Sequence, residues 1–202
     1  MAAIVVPFRG AGPKERLAPL GGDARAAVAL AMLGDVLAAC RSVGATTLVT
    51  ADAGAADVAR EVGDVEVLDD PGAGQGAAVA AALARLDPGP VAVVNADVPC
   101  VLPHDVRSLL RATPAGGVAV VAAGDGTTNA LGLPAAEAFA PLYGPGSAAR
   151  FLAHAEELGL QGLDVAIPNL RDDVDTVEDL RRVGLRAGPR TQAAIATLGL
   201  AA

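Results

Sequence analysis

The chain is expected to fold as an α/β sandwich, a mostly parallel sheet between helical layers, and three observations predict it. Apolar runs of strand length alternate with Ala-rich or amphipathic stretches from one end to the other. The run Val91-Ala-Val-Val94 has no polar partner, which suits a strand buried on both faces of a parallel sheet. Segments rich in glycine and proline follow several of these runs, and no repeat or long linker divides the 202 residues. One domain spanning 1–202 is expected, large enough to bury a core without disulfides or a structural metal.

The elements follow in order. Ala3 to Phe8 reads as the first strand, then a loop of glycine, proline and charge runs from Arg9 to Leu20. Asp23 can cap a helix running to about Arg41, with Val28, Met32, Val36 and Leu37 on one stripe. Thr46–Thr50 is a β-branched strand, Ala55–Val62 a short helix, and Val65–Leu68 another strand. After the Gly-rich turn Asp69–Gly76, Ala77–Leu86 has strong helix propensity. Val91–Asn95 is the buried strand, Pro103–Arg111 the helix after it, and Val118–Ala122 a further strand. Ala130–Leu133 reads as a short strand, with an antiparallel orientation open to it. Ala148–Leu158 is helical, Leu163–Ile167 resembles a strand, the segment Asp172–Asp179 starts a helix through Arg182, and Pro189–Leu200 suits a last helix.

Composition narrows the function classes. A net charge of −8 argues against a nucleic-acid or anionic-membrane surface, because phosphate backbones demand clustered Lys and Arg. Aromatics make up only 2 % of the residues, so Ala, Val and Leu must build the core. Cys40 and Cys100 are too few for a disulfide framework or a metal site and suit small buried hydrophobes in a reduced cytoplasm. No apolar run is long enough to span a membrane.

Asp97 falls just past the end of the 91–95 strand, at the edge where open α/β sheets bind ligands. A turn or helix cap is the plain alternative. Asp173 and Asp175 sit two apart, so their carboxylates can reach one side of an extended segment. Thr176 or Asp175 can cap the next helix, with Glu178 or Asp179 completing a capping box. Capping does not require two aspartates in addition to Thr176. Three carboxylates together repel unless a cation lies among them, and magnesium suits carboxylates plus phosphate oxygens.

The first loop joins glycines to Lys14 and Arg16, a combination that can cradle phosphate, although the Walker and Rossmann patterns are absent. Gly72, Gly74 and Gly76 permit close backbone approach to a base, ribose or phosphate. Thr127, Thr128 and Asn129 follow an apolar strand, and Ser147 opens a helix after Gly144-Pro-Gly146; both places suit an anion, with simple capping as the alternative for Ser147. His104 and His154 have no partner at ligand spacing, and no nucleophile elbow is present.

Taken in order, these segments resemble the phosphoenolpyruvate or 2-phospho-L-lactate guanylyltransferase family of coenzyme F-420 biosynthesis. The resemblance rests on Val6-Pro7, Lys14-Glu-Arg-Leu-Ala-Pro19, Met32-Leu33, Asp35-Val-Leu37, Asp70-Pro-Gly72, Ala96-Asp97-Val-Pro99, Gly126–Leu131, Tyr143–Ser147 and Asp173-Val-Asp-Thr176, across about the first 180 residues. It implies a three-layer α/β/α nucleotidyltransferase fold of the GT-A type. It also implies magnesium on Asp97, Asp173 and Asp175, GTP phosphates on Lys14 and Arg16, and the phospho-acid gripped by Thr128, Gly144 and Ser147. Guanylyl transfer from GTP would release pyrophosphate, with no general base required. The chain departs from the family's usual pattern at Gly74-Gln-Gly76, which stands for a Gly-Leu-Asn-like triplet. Asn95 stands for a common Gly and Val177 for a common Pro. Phosphoenolpyruvate is the expected acid on family grounds, with 2-phospho-L-lactate and 3-phosphoglycerate open and a homodimer an open option. The rival readings are another nucleotidyltransferase of this fold, for a molybdenum cofactor or a sugar phosphate, and an inert nucleotide-binding protein.

Overall fold

The structure, a computed structural model, describes residues 2–10 and 20–200. Seven strands form one sheet: β1 (Ala3–Pro7), β2 (Ala45–Val49), β3 (Val65–Leu68), β4 (Val91–Val94), β5 (Gly117–Ala122), β6 (Thr128–Leu133) and β7 (Gln161–Asp164). Their order is β3-β2-β1-β4-β6-β5-β7. β6 runs against both neighbours and every other pairing is parallel, so the sheet is mostly parallel as its apolar strands required. The helices are α1 (Gly22–Arg41), α2 (Ala53–Val62), α3 (Gln75–Leu83), α4 (Pro103–Ala112), α5 (Ser147–Glu157), α6 (Pro168–Arg171), α7 (Val177–Val183) and α8 (Pro189–Thr197).

Strand alternation builds the two cores. Ile4, Val6, Ala92 and Val94 point to the face covered by α1, α2 and α4, whereas Val5, Val91 and Val93 point to the face covered by α3 and α5. All four residues of β4 are buried, as a strand covered on both faces must be. Burial removes this apolar surface from water and supplies the main drive for folding, at about 25 cal/mol per Å².

Several boundaries differ from the sequence expectation. Gly21 is the N-cap of α1 and no side chain caps it; Asp23 lies inside the first turn. The stripe expected on α1 is split: Val36 and Leu37 face the sheet, but Val28 and Met32 pack with Leu180, Val183 and Ile195 of α7 and α8. α1 is therefore buried on two sides, which a one-stripe reading cannot anticipate. β6 begins at Thr128, because pairing with β4 and β5 draws Thr128 and Asn129 out of the polar loop. β7 sits two residues earlier than expected, and α6 is a helix the sequence did not announce.

α8 is fastened by a carboxylate from another helix. Asp35 is buried and accepts hydrogen bonds from the amides of Arg190 at 3.1 Å and Thr191 at 2.8 Å. A Cβ on Gly188 would lie 2.3 Å from the Asp35 carboxyl carbon, so only glycine allows this approach. The Gly188 amide in turn donates to the Pro99 carbonyl at 2.8 Å, tying the C-terminal helix to the loop that carries Asp97.

Candidate active site

The parallel strands bring their carboxyl ends to one edge, and the antiparallel β6 starts there. β1 delivers Phe8, Arg9 and Gly10 to it, and β4 delivers Asn95 and Asp97. Between them lies a cleft of about 160 Å³, lined by Phe8, Arg9, Met32, Gln75, Asn95 and Asp97 among others. Residues 11–19, with Lys14 and Arg16, lie outside the described residues.

Asp97 is held at this edge through its backbone. Its carbonyl accepts from the Val174 amide at 2.9 Å, which brings the Asp173–Asp175 segment against the end of β4. The carboxylates are electrostatic neighbours. Burial first, and then the charge of Asp97, pushes the Asp173 carboxyl up to about 6; the Asp175 charge adds to this, against a hydrogen bond from the Asn129 side chain. The flanking aspartates behave oppositely. Burial acts to raise Asp172 and Asp179, but bonds from Arg186 and Arg182 to Asp172, and from Thr176 and Arg182 to Asp179, outweigh it and hold both below the usual carboxylate range. The segment thus holds Asp172 and Asp179 in arginine pairs, beside an Asp173 whose charge is opposed by those of Asp97 and Asp175.

The trio of Asp97, Asp173 and Asp175 does not close around a point by itself: among the described residues no group of three or more His, Cys, Asp or Glu side chains is arranged to hold a metal ion. Its donor chemistry nonetheless suits magnesium, which takes one or two carboxylates and completes its shell with water and substrate phosphate oxygens. A second hollow of about 330 Å³ lies beside it, lined by Gly124, Asp125, Arg171, Asp173 and Asp175 with Arg182 at its wall.

Thr128 and Ser147, nineteen residues apart, meet at 2.9 Å between their hydroxyls. Both are buried. Ser147 is the first residue of α5 and not its cap; the cap is Gly146, in the left-handed region at φ 68°. The Ser147 amide donates to the Gly144 carbonyl at 3.0 Å and the Ala148 amide to that of Gly126 at 3.2 Å, so the loops holding Gly126 and Gly144 converge on this pair. Arg150 binds the carbonyls of Leu142, Tyr143 and Pro145 and braces the turn from outside.

The glycine loop leads into α3. Gly72 and Gly74 have positive φ and shape the turn, but the cleft is lined by Gln75. Gly76 is a packing glycine: an added Cβ would stand 2.5 Å from Cβ of Pro141. Gln75, which sequence reasoning passed over, was the one polar side chain in a run of Gly and Ala before a helix. His104 and His154 lie on α4 and α5, beside Asp105 and Glu157, and neither lines the cleft.

A family model described as "Guanylyl transferase CofC like" matches residues 2–195. The chain is 39 % identical over 201 residues to a phosphoenolpyruvate guanylyltransferase from Nocardia farcinica, covering 92 % of this chain and 86 % of that one. It is also 39 % identical over 211 residues to a protein of the same name from Streptomyces coelicolor, covering 98 % and 97 %. Among solved structures, a Desulfovibrio desulfuricans protein assigned to the nucleotide-diphospho-sugar transferases superposes with a TM-score of 0.76 at 17 % identity, over 98 % of this chain and 96 % of that one. A nucleotidyl transferase from Methanothermobacter gives a TM-score of 0.62 at 16 % identity, covering 98 % and 99 %. At such identities the structural likeness establishes the fold, the three-layer nucleotidyltransferase type.

Proposed function

The chain belongs to the CofC-like guanylyl transferase family, and we propose that it transfers the guanylyl group of GTP to phosphoenolpyruvate with magnesium, a step toward a deazaflavin coenzyme such as F-420. The observation that carries this reading beyond the family is the meeting of Asp97 with the Asp173–Asp175 segment at the carboxyl edge of the sheet, where the charges of Asp97 and Asp175 both act on the Asp173 carboxyl.

In this reading a phosphate oxygen of the acid attacks the α-phosphorus of GTP, a new P–O bond forms in line, and the bond to the β-phosphate oxygen breaks to release pyrophosphate. A phosphate monoester is already mostly ionised near neutral pH, with a second pKa of about 6, so no residue need act as general base. The absence of a histidine from the cleft lining fits that economy. Magnesium, when bound, neutralises charge on the phosphates. Asp97, Asp173 and Asp175 would hold it, Lys14 and Arg16 would meet the phosphates, and Phe8, Met32 and Gln75 would flank the nucleotide. Thr128, Gly144 and Ser147 would form the seat of the phospho-acid, with the buried hydroxyl pair as its floor. Positioning and charge neutralisation are then the whole of the protein's work.

Turnover decides the reading. Offered GTP and magnesium with phosphoenolpyruvate, 2-phospho-L-lactate or 3-phosphoglycerate separately, the enzyme should give enolpyruvyl-diphospho-guanosine from the first, identified by mass. Preference for 2-phospho-L-lactate, giving lactyl-diphospho-guanosine, would move the substrate within the family; no product from any acid would remove the reading.

A further inference from the structure

Gln75, at the start of α3, and Asn95, at the end of β4, both line the cleft and touch each other. The Gln75 Nε2 donates to Asn95 Oδ1 at 2.7 Å, and the Asn95 Nδ2 donates to the Thr128 carbonyl at 2.9 Å. The orientation of both amides follows from that carbonyl. A carbonyl can only accept, so Asn95 must turn its nitrogen to Thr128 and its oxygen to Gln75, and Gln75 must answer with its own nitrogen. Thr128 continues the line through its hydroxyl to Ser147. An unbroken chain of polar contacts therefore runs from the first residue of α3, in the cleft, to the first residue of α5, at the phospho-acid seat.

The first two members of this chain are also held within their own elements. Gly76 packs directly on Pro141, fixing the start of α3, and the Asn95 amide donates to the Asn129 carbonyl at 2.9 Å, continuing the β4–β6 ladder. What the amide pair adds is the spacing between the two. Nothing else among the side-chain hydrogen bonds of the described residues links Gln75 to the Thr128 end of β6. In-line transfer requires the attacking oxygen to sit about 3 Å from phosphorus, and an error of about 1 Å can cost on the order of a hundredfold in rate.

We propose that Asn95 is a positioning residue which, with Gln75, sets the distance between the nucleotide cleft and the Thr128–Ser147 hydroxyl pair. The inference rests on the guanylyl transfer reading above. It goes beyond it by giving a role in the reaction to two residues that touch neither the proposed metal nor the phosphates, and by predicting that they act as one unit.

The experiment compares the wild type with Asn95→Ala, Asn95→Asp, Gln75→Leu and the double variant Gln75→Leu/Asn95→Ala, measuring kcat, each KM and the melting temperature. Asn95→Ala should lower kcat by about 10- to 100-fold, with each KM within about threefold of wild type and the melting temperature nearly unchanged. Asn95→Asp keeps the shape but sets an acceptor against the Thr128 carbonyl, so it should lose as much as Asn95→Ala. Gln75→Leu should lose less, and the double variant no more than Asn95→Ala alone, because Gln75 has nothing to hold once Asn95 is gone. Additive losses, a kcat loss that tracks melting temperature, or an effect confined to the nucleotide KM would each overturn the bridge. An active wild type matched by Asn95→Ala would overturn the bridge alone. A wild type that makes no guanylyl product would overturn the function, and the bridge with it.

Discussion

Two helices start at the same edge of the sheet, and their first turns are built in opposite ways. α7 closes its polar groups on itself: the Asp179 amide donates to the Thr176 hydroxyl at 3.0 Å, the Thr176 amide donates back to the Asp179 carboxylate at 2.9 Å, and Arg182 adds a bond to the same carboxylate at 3.0 Å. α5 has no side-chain cap at all. Gly146 makes its turn, and Ser147, the residue chemically suited to cap, directs its hydroxyl to Thr128 on another element. A polar residue satisfied within its own turn serves the helix; one that reaches across to a second element at the sheet edge serves the arrangement of that edge. By this distinction Thr176 belongs to stability and Ser147 to the site, although both are hydroxyl residues at helix starts.

The largest test of the acidic half is Asp97→Ala. If Asp97 holds the metal, turnover should fall by on the order of a thousandfold while the fold survives, since the side chain is only half-buried and its backbone contacts remain. Asp175→Ala should behave alike. Near-normal pyrophosphate release by either variant at saturating magnesium would remove the proposed metal site.

The next test sets the two helix starts against each other. Ser147→Ala should raise the KM for the phospho-acid about tenfold, the effect of one lost hydrogen bond of about 1.4 kcal/mol at the seat, with the KM for GTP little changed. Thr176→Ala should instead cost about 1 kcal/mol of stability through the lost cap, a fall of about 2–4 °C in melting temperature, and leave the phospho-acid KM alone. If Ser147→Ala changed only melting temperature, or only the KM for GTP, the distinction between the two helix starts would fail.

The same contrast explains what could be read from the sequence. Thr176 and Asp179 were legible as a capping box because both partners lie in one turn, three residues apart. Val91–Val94 was legible as a doubly buried strand because composition alone reports it. The Thr128–Ser147 contact was not legible as a contact, since its partners come from different elements, and Thr128 looked like loop until β4 and β5 paired around it. Gln75 was passed over for the same reason: its meaning lies in Asn95, twenty residues on. The double burial of α1 depended on α8, which Asp35 fastens from more than 150 residues away. Asp97, Asp173 and Asp175 could be singled out as candidates because acids in surplus to capping stand out, while the arginine pairing of Asp172 and Asp179 appears only in space.

The smallest effect tests whether the three carboxylates strain the metal-free protein. Asp173 titrates near 6 in the folded state against an ordinary value of 3.8. A raised acid keeps its proton in the folded chain after the unfolded chain has lost it, so stability falls as pH rises from about 4 through about 6 and stays reduced above that. The Asp173 side chain is partly exposed, and solvent screening brings the penalty down to on the order of 1 kcal/mol. Asp173→Asn removes the charge and keeps an oxygen to accept from Asn129. Without metal it should therefore melt about 2–4 °C above wild type at pH 7.5 and no higher at pH 4. An equal gain at both pH values would assign the effect to local packing and would detach Asp173 from the charges of Asp97 and Asp175.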